Sequence, residues 1–232
     1  MSINGSFLSL HSARFKAGAA RTASGEGSPT GSVIFLGGTD ADYPISGIPE
    51  RRKTECHWLA AWKDEAEVDR FLASPTAHLP RLGEADNVWS LKLAPYMQRG
   101  ADVLPLVPNS TRPEADEPIV IITSIGTYSG EADAIAASQR ASQARESLLR
   151  ADGLMHELLL VPYPPWATDL FTVTMWRSER AAQAWAYRTD AHRSAMDFYK
   201  TTGEKPRVSF TRCRICASAG ERQPRDLVGS SG

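Results

Sequence analysis

The chain has 232 residues, 42% hydrophobic and 23% charged, the balance of a globular protein with room for one large or two small domains. Twenty-six Lys and Arg against 27 Asp and Glu leave a formal charge of -1, so no basic surplus exists to neutralise a phosphate backbone, and nucleic acid is excluded as an expected partner. The apolar runs at 119–122 and 158–161 are far below the roughly 20 residues that span a bilayer, and residues 1–30 lack a signal-peptide core. No membrane span and a cytoplasmic location are therefore expected. Three cysteines, Cys56, Cys213 and Cys216, are too few and too odd for a disulfide framework.

Along the chain, residues 7–10 and 32–35 read as strands, separated by a Gly-, Ala- and Ser-rich stretch at 17–31 that makes a weak helix or a loop. Residues 57–62 and 88–93 are further strands, and Asp64 with Glu67 forms a capping box for a helix between them. Residues 96–117, holding Pro105, Pro108 and Pro113, read as a linker. Beyond it, 119–128 is β-branched and reads as a strand. Residues 131–150 are rich in Ala, Gln, Glu and Arg and read as a helix that Gly153 stops. Strands follow at 155–161 and 170–176. Ser178 caps a helix through Trp185 that breaks at Thr189-Asp190 before a piece carrying His192 and Phe198, and 208–215 is the closing strand.

The two halves repeat each other. Trp62-Lys63-Asp64-Glu65, Phe71 and Ala77-His78 match Trp176-Arg177-Ser178-Glu179, Trp185 and Ala191-His192 at an offset of 114, and at that offset Phe7-Leu8-Ser9-Leu10 meets Ile121-Ile122-Thr123-Ser124. The order βαββαβ is that of a ferredoxin-like module. Two such sheets can cover each other's open faces, so the expected fold is α+β: tandem ferredoxin-like modules forming an intramolecular dimeric α/β barrel. The expected domains are 1–110, 111–216, and a disordered polar tail at 217–232. The space between each sheet and its helices is the place for a ligand.

The residues Phe171-Thr172-Val173-Thr174-Met175-Trp176, Ala186-Tyr187, Ala191-His192, Ala195-Met196 and Phe210-Thr211-Arg212 resemble the C-terminal signature of the spheroidene monooxygenase family of carotenoid biosynthesis. In the first half, Phe35-Leu36-Gly37-Gly38, Ala61 to Ala66 and Trp89 to Leu93 with Arg99-Gly100 fall in that family's order, so the resemblance spans roughly 6–215. It implies a tandem ferredoxin-like fold, haem b as cofactor, and oxygenation of a hydrophobic substrate. The haem-containing aldoxime dehydratases are similar in fold, with their iron-bound histidine in a comparable Trp-then-His stretch, and both families place the proximal ligand on His192. The family's Gly-Glu stretch is replaced by Val161-Pro162-Tyr163-Pro164-Pro165, and its Trp-Tyr/Phe pair by Glu204-Lys205-Pro206, so the carotenoid substrate does not carry over.

For His192, a surface histidine is the ordinary reading of the residues alone; as a ligand it would be the metal donor, with Trp185, Tyr187, Met196 and Phe198 walling a flat macrocycle. His78 holds the same place in the first repeat, where structural repetition is its simpler role. His156 could act as a distal acid or base, or pack at a sheet edge. Arg212, on one strand face with Phe210, could hold a propionate or a bound oxygen species, or form a surface ion pair. Tyr163 and Trp166 could line a substrate entrance or anchor a loop. Cys213 and Cys216 form a C-x-x-C without a second pair, and in a strand they face opposite sides. Three functions stay open: a haem-dependent monooxygenase for a small hydrophobic metabolite, a haem lyase of aldoxime dehydratase type, and a haem-free oxygenase or binding module. A small-molecule substrate is the expected partner, with an electron donor and a second copy of the chain left open.

Overall fold

The computed structural model describes residues 6–15, 32–42, 50–78, 80–100, 106–126, 131–162, 169–201 and 208–220. The first half holds β1 (Phe7–Arg14), β2 (Ser32–Asp42), β3 (Glu50–Trp62), α1 (Glu65–Ala73), the one-turn α2 (Pro75–His78), a 3-10 turn (Pro80–Glu84) and β4 (Asn87–Gly100). The second holds β5 (Ile119–Gly126), α3 (Glu131–Leu149), β6 (Leu154–Pro162), β7 (Asp169–Trp176), α4 (Glu179–Arg188), α5 (Asp190–Thr201) and β8 (Val208–Gly220). The stretch at 17–31, read as a weak helix or loop, lies outside the described residues, as does 221–232.

Local chemistry sets several boundaries. Asp64 accepts a hydrogen bond from the Glu67 amide at 2.9 Å, and Ser178 one from the Ala181 amide at 3.2 Å, so both helices that follow a Trp-ended strand start on a capping side chain. The break at Thr189 separates α4 from α5. Two expectations fell short. Strand β4 runs on to Gly100, into the stretch read as a linker, and Ala217–Gly220, read as the start of a tail, continue β8 by pairing with residues 89–92 of β4. Each of those segments gains ladder hydrogen bonds from the other half, and a reading confined to local signals cannot see that gain.

The strands close into an eight-stranded antiparallel barrel in the order β1-β3-β2-β6-β7-β5-β8-β4. Within each half the order is last, first, third, second. The fold is therefore α+β, two ferredoxin-like modules joined as an intramolecular dimeric α/β barrel. Their joints are β4 on β8 and β2 on β6. Gly100 and Gly220 end β4 and β8 at positive φ, and a Cβ on either would stand 2.1 Å from the Val208 or Val88 carbonyl oxygen, so both ends of the β4–β8 joint need glycine.

Alternation along the strands splits the core in three. Leu8, Leu10, Leu59, Leu91, Val173 and Met175 fill the barrel. Outside it, Trp58, Ala60 and Trp62 pack under Val68 and Phe71 of α1 in the first half, and Ile119 and Trp176 pack under Leu148 and Ala182 in the second. At roughly 1.5–3 kcal/mol for each large side chain taken from water, these layers dominate the stability. Among the described residues no helix is long and apolar enough to cross a membrane.

The register refines the repeat. Trp62 faces Phe7, and Trp176 faces Ile119. Third strands match at an offset of 114, but first strands match at 112, two less than the sequence pattern suggests. Leu8 faces Leu93 and Val120 faces Cys213, so the last strands match at 120, the offset that also relates Gly100 to Gly220. Even slips keep every side chain on its face, which hid the difference from a pattern of apolar alternation.

Candidate active site

A cavity of about 340 Å³ lies in the second half between the outer face of its sheet and helices α3, α4 and α5, within the roughly 300–1,000 Å³ common for ligand sites. Its roof holds Ala144, Leu148, Ala182, Trp185, His192 and Met196, and its floor holds two rows of residues directly opposite one another across the strands. One row runs Glu157, Thr174, Ile121, Arg212; the next carries Thr172, Thr123 and Phe210.

The first half explains why the cavity is here. With the structural offsets, Thr172 corresponds to Trp58 and Thr123 to His11. Trp58 is buried, and His11 is wholly enclosed, with its ring nitrogens 2.7 Å from Ser90 Oγ and 2.8 Å from Ser9 Oγ and its ring 4.7 Å from Phe71. Two large side chains fill one module where two threonines leave room in the other. Burial pushes His11 down to about 3, so it stays neutral.

Trp185 lies between Trp176, 5.8 Å away, and His192, 4.3 Å away, and its Nε1 donates to Ser147 Oγ at 2.9 Å. His192 Nδ1 is 2.7 Å from the Ala186 carbonyl oxygen. A carbonyl only accepts, so Nδ1 carries the proton and Nε2 keeps its lone pair. Burial holds His192 below the usual histidine range despite that bond, so the ring is neutral at pH 7. A neutral imidazole oriented by a backbone carbonyl is the arrangement of metal-bound histidines. Among the described residues no group of three or more His, Cys, Asp or Glu is placed to hold a metal ion. His192 is thus a lone protein donor beside aromatic and thioether walls, a donor set that fits the axial ligand of a haem rather than an all-protein metal cage.

The other expected residues separate. Met196, Trp185 and Arg212 line the cavity, and Tyr187 sits at its rim, 60% exposed. Phe198 instead packs under the Arg140 guanidinium at 4.2 Å, beside a surface depression between α3 and α5. His156 does not line the cavity. A β-bulge between Leu154 and His156 shifts the face, and its ring packs edge-on to Trp89 of the barrel core at 5.7 Å. Glu157 takes the cavity position instead. Cys213 is buried in the barrel and Cys216 exposed, both free; burial pushes the Cys213 thiol up, making it inert. His78 ends α2, with its side chain outside the described residues, and Tyr163 and Trp166 also lie outside them.

Two buried ion pairs flank the floor. Arg145 binds Glu157 through both carboxylate oxygens at 2.8 and 2.9 Å. Arg212 binds Glu179, which also takes Arg112 at 2.7 and 2.8 Å and Gln183 at 3.2 Å. Arg112 first, and Arg212 with it, hold the Glu179 carboxyl below the usual range. This second pair has a counterpart. At the same offsets Arg212 corresponds to Lys92 and Glu179 to Glu65, and Lys92 binds Glu65 at 2.7 Å. Arg212–Glu179 therefore repeats a tie from the last strand to the first turn of the helix that both modules use.

No protein-family model matches the chain, and no curated protein matches it at a significant level. Among solved structures, an aldoxime dehydratase in complex with butyraldoxime aligns with 92% of this chain and 80% of its own at 10% identity, with a TM-score of 0.57. A proposed monooxygenase from Lactobacillus acidophilus aligns over 93% and 99% of the two chains at 10% identity and a TM-score of 0.36. One from Fusobacterium nucleatum aligns over 94% and 95% at 10% identity and 0.40. What the chain shares with the aldoxime dehydratase at such identity is the tandem barrel fold.

Proposed function

We propose that the chain binds haem b in the second-half cavity, where His192 would hold the iron, and acts as a haem-dependent monooxygenase on a small hydrophobic metabolite. The observation that carries this reading is the neutral His192 ring, proton donated to the Ala186 carbonyl, in a cavity walled by Trp185 and Met196. The spheroidene monooxygenase-like motifs support it. Haem would supply an iron at which oxygen is activated, and histidine pushes less electron density than thiolate, so oxygenation leans on polar groups of the pocket. Those groups are on the sheet. Arg145 and Glu157 can hold a substrate or proton-bearing group, Thr174 and Thr172 present hydroxyls, and the apolar roof excludes water.

The fold shared with an aldoxime dehydratase favours a second reading, dehydration of an aldoxime at the same site. Turnover separates the two. A monooxygenase consumes oxygen and two electrons from a donor in each cycle, whereas a dehydration consumes neither. The test is the visible spectrum of the purified protein, with and without added haemin, dithionite and carbon monoxide, followed by anaerobic incubation with butyraldoxime. A Soret band that shifts with carbon monoxide, without nitrile formation, is expected. A protein that stays colourless with haemin contradicts the haem reading and leaves the haem-free binding module.

A further inference from the structure

We infer that Glu157, oriented by Arg145, is the group that selects the cavity's ligand, and that the ligand is a small hydrophobic molecule carrying an O–H or N–H donor. This rests on the cavity being the ligand site and adds its specificity. Three observations converge on it.

First, the carboxylate is almost wholly buried, with its side chain 5% exposed, and lines a cavity whose walls are otherwise mainly apolar. Second, the Arg145 fork takes one lone pair from each oxygen, while an ionised carboxylate has about four acceptor sites. The bidentate fork fixes the carboxylate in place and leaves acceptor sites for a ligand. Third, the described residues of the other module do not repeat the pair. Glu157 faces Thr174, the counterpart of Ala60, and Ala60 faces Phe35, so the same ladder position in the first half carries an apolar residue. A buried ion pair is often no more stabilising than apolar residues of similar size, so folding alone gives no reason to keep one. Arg212–Glu179 lacks this mark, because Lys92–Glu65 repeats it.

The experiment is calorimetric titration of the full-length protein, as purified, with 1-naphthol and with its O-methyl ether, which matches it in shape but lacks the donor. Wild type should bind the naphthol roughly tenfold or more tightly, the worth of one hydrogen bond to a buried charge. In Glu157→Leu/Arg145→Leu, which removes both charges together, that preference should vanish while the ether still binds, and a thermal melt establishes that the variant is folded. Glu157→Gln, in the same place but uncharged, should lose most of the preference. Equal binding of the two probes to wild type, or an undiminished preference in the double variant, overturns the inference while leaving the cavity a ligand site. Binding of neither probe overturns both.

Discussion

The two modules share a strand order, a Trp that ends the third strand, a capped helix after it and a cation on the last strand tied to that helix. They differ in what stands on the outer face of the sheet. Trp58 and His11 close the first, and Thr172 and Thr123 open the second. One copy of a duplicated unit can thus carry stability while its twin carries a cavity, and a few side chains decide which is which.

The largest effect should come from emptying the closed module. Trp58→Ala should destabilise the protein by about 3–5 kcal/mol, because the filled layer under α1 cannot collapse onto a void of that size, and urea unfolding measures it. The ties should differ less. Glu179→Ala leaves the buried Arg212 without its main partner and should remove up to about 3 kcal/mol, while Glu65→Ala, at an exposed acid whose Lys92 keeps Asp69 at 2.6 Å, should remove under about 1 kcal/mol. Because the folded Glu179 carboxyl is depressed, its stabilisation is complete above the ordinary carboxylate range and is lost as pH falls through the folded value.

His11 gives the closed half an acid sensitivity of its own. Its folded value is near 3 against an ordinary 6.5, so the unfolded chain binds the extra proton, and stability falls as pH drops below 6.5. Between pH 6.5 and 5 that should amount to about 2 kcal/mol, and His11→Phe should flatten this part of the curve in a pH series of melts. Filling the open half should perturb stability less than emptying the closed one. Thr172→Trp, which imports the first module's solution, should cost about 1–3 kcal/mol by overpacking and should abolish uptake of haemin or 1-naphthol. Uptake that survives it would show that the cavity is not the binding site.

Much of this was legible in the residues. The Trp-to-His spacing of the repeat, Asp64 and Ser178 as caps, and the α+β barrel all follow from local chemistry and the need of each sheet for a cover. The two-residue slip of the first strands was not, because apolar alternation is blind to even shifts. Nor was the exchange of His156 for Glu157, since the bulge after Leu154 is a ladder feature without a Gly or Pro to announce it. A signal did exist. Glu157 is the lone acid in a strand that is apolar apart from His156, and it needs a buried cation; Arg145 lies within reach on the preceding helix. That Lys92–Glu65 repeats Arg212–Glu179, while an apolar residue stands at the ladder position matching Glu157, needed the register of both halves.

We propose the open half as a haem site anchored by one neutral histidine. This is tested most directly by the haem content and Soret spectrum of His192→Ala beside those of His78→Ala, both purified with haemin supplied. His192→Ala should lose most of its haem and shift the band while staying folded, since it removes one ring at a cavity wall. His78→Ala should keep an unchanged spectrum. Full haem content with an unaltered Soret band in His192→Ala would contradict the proposal.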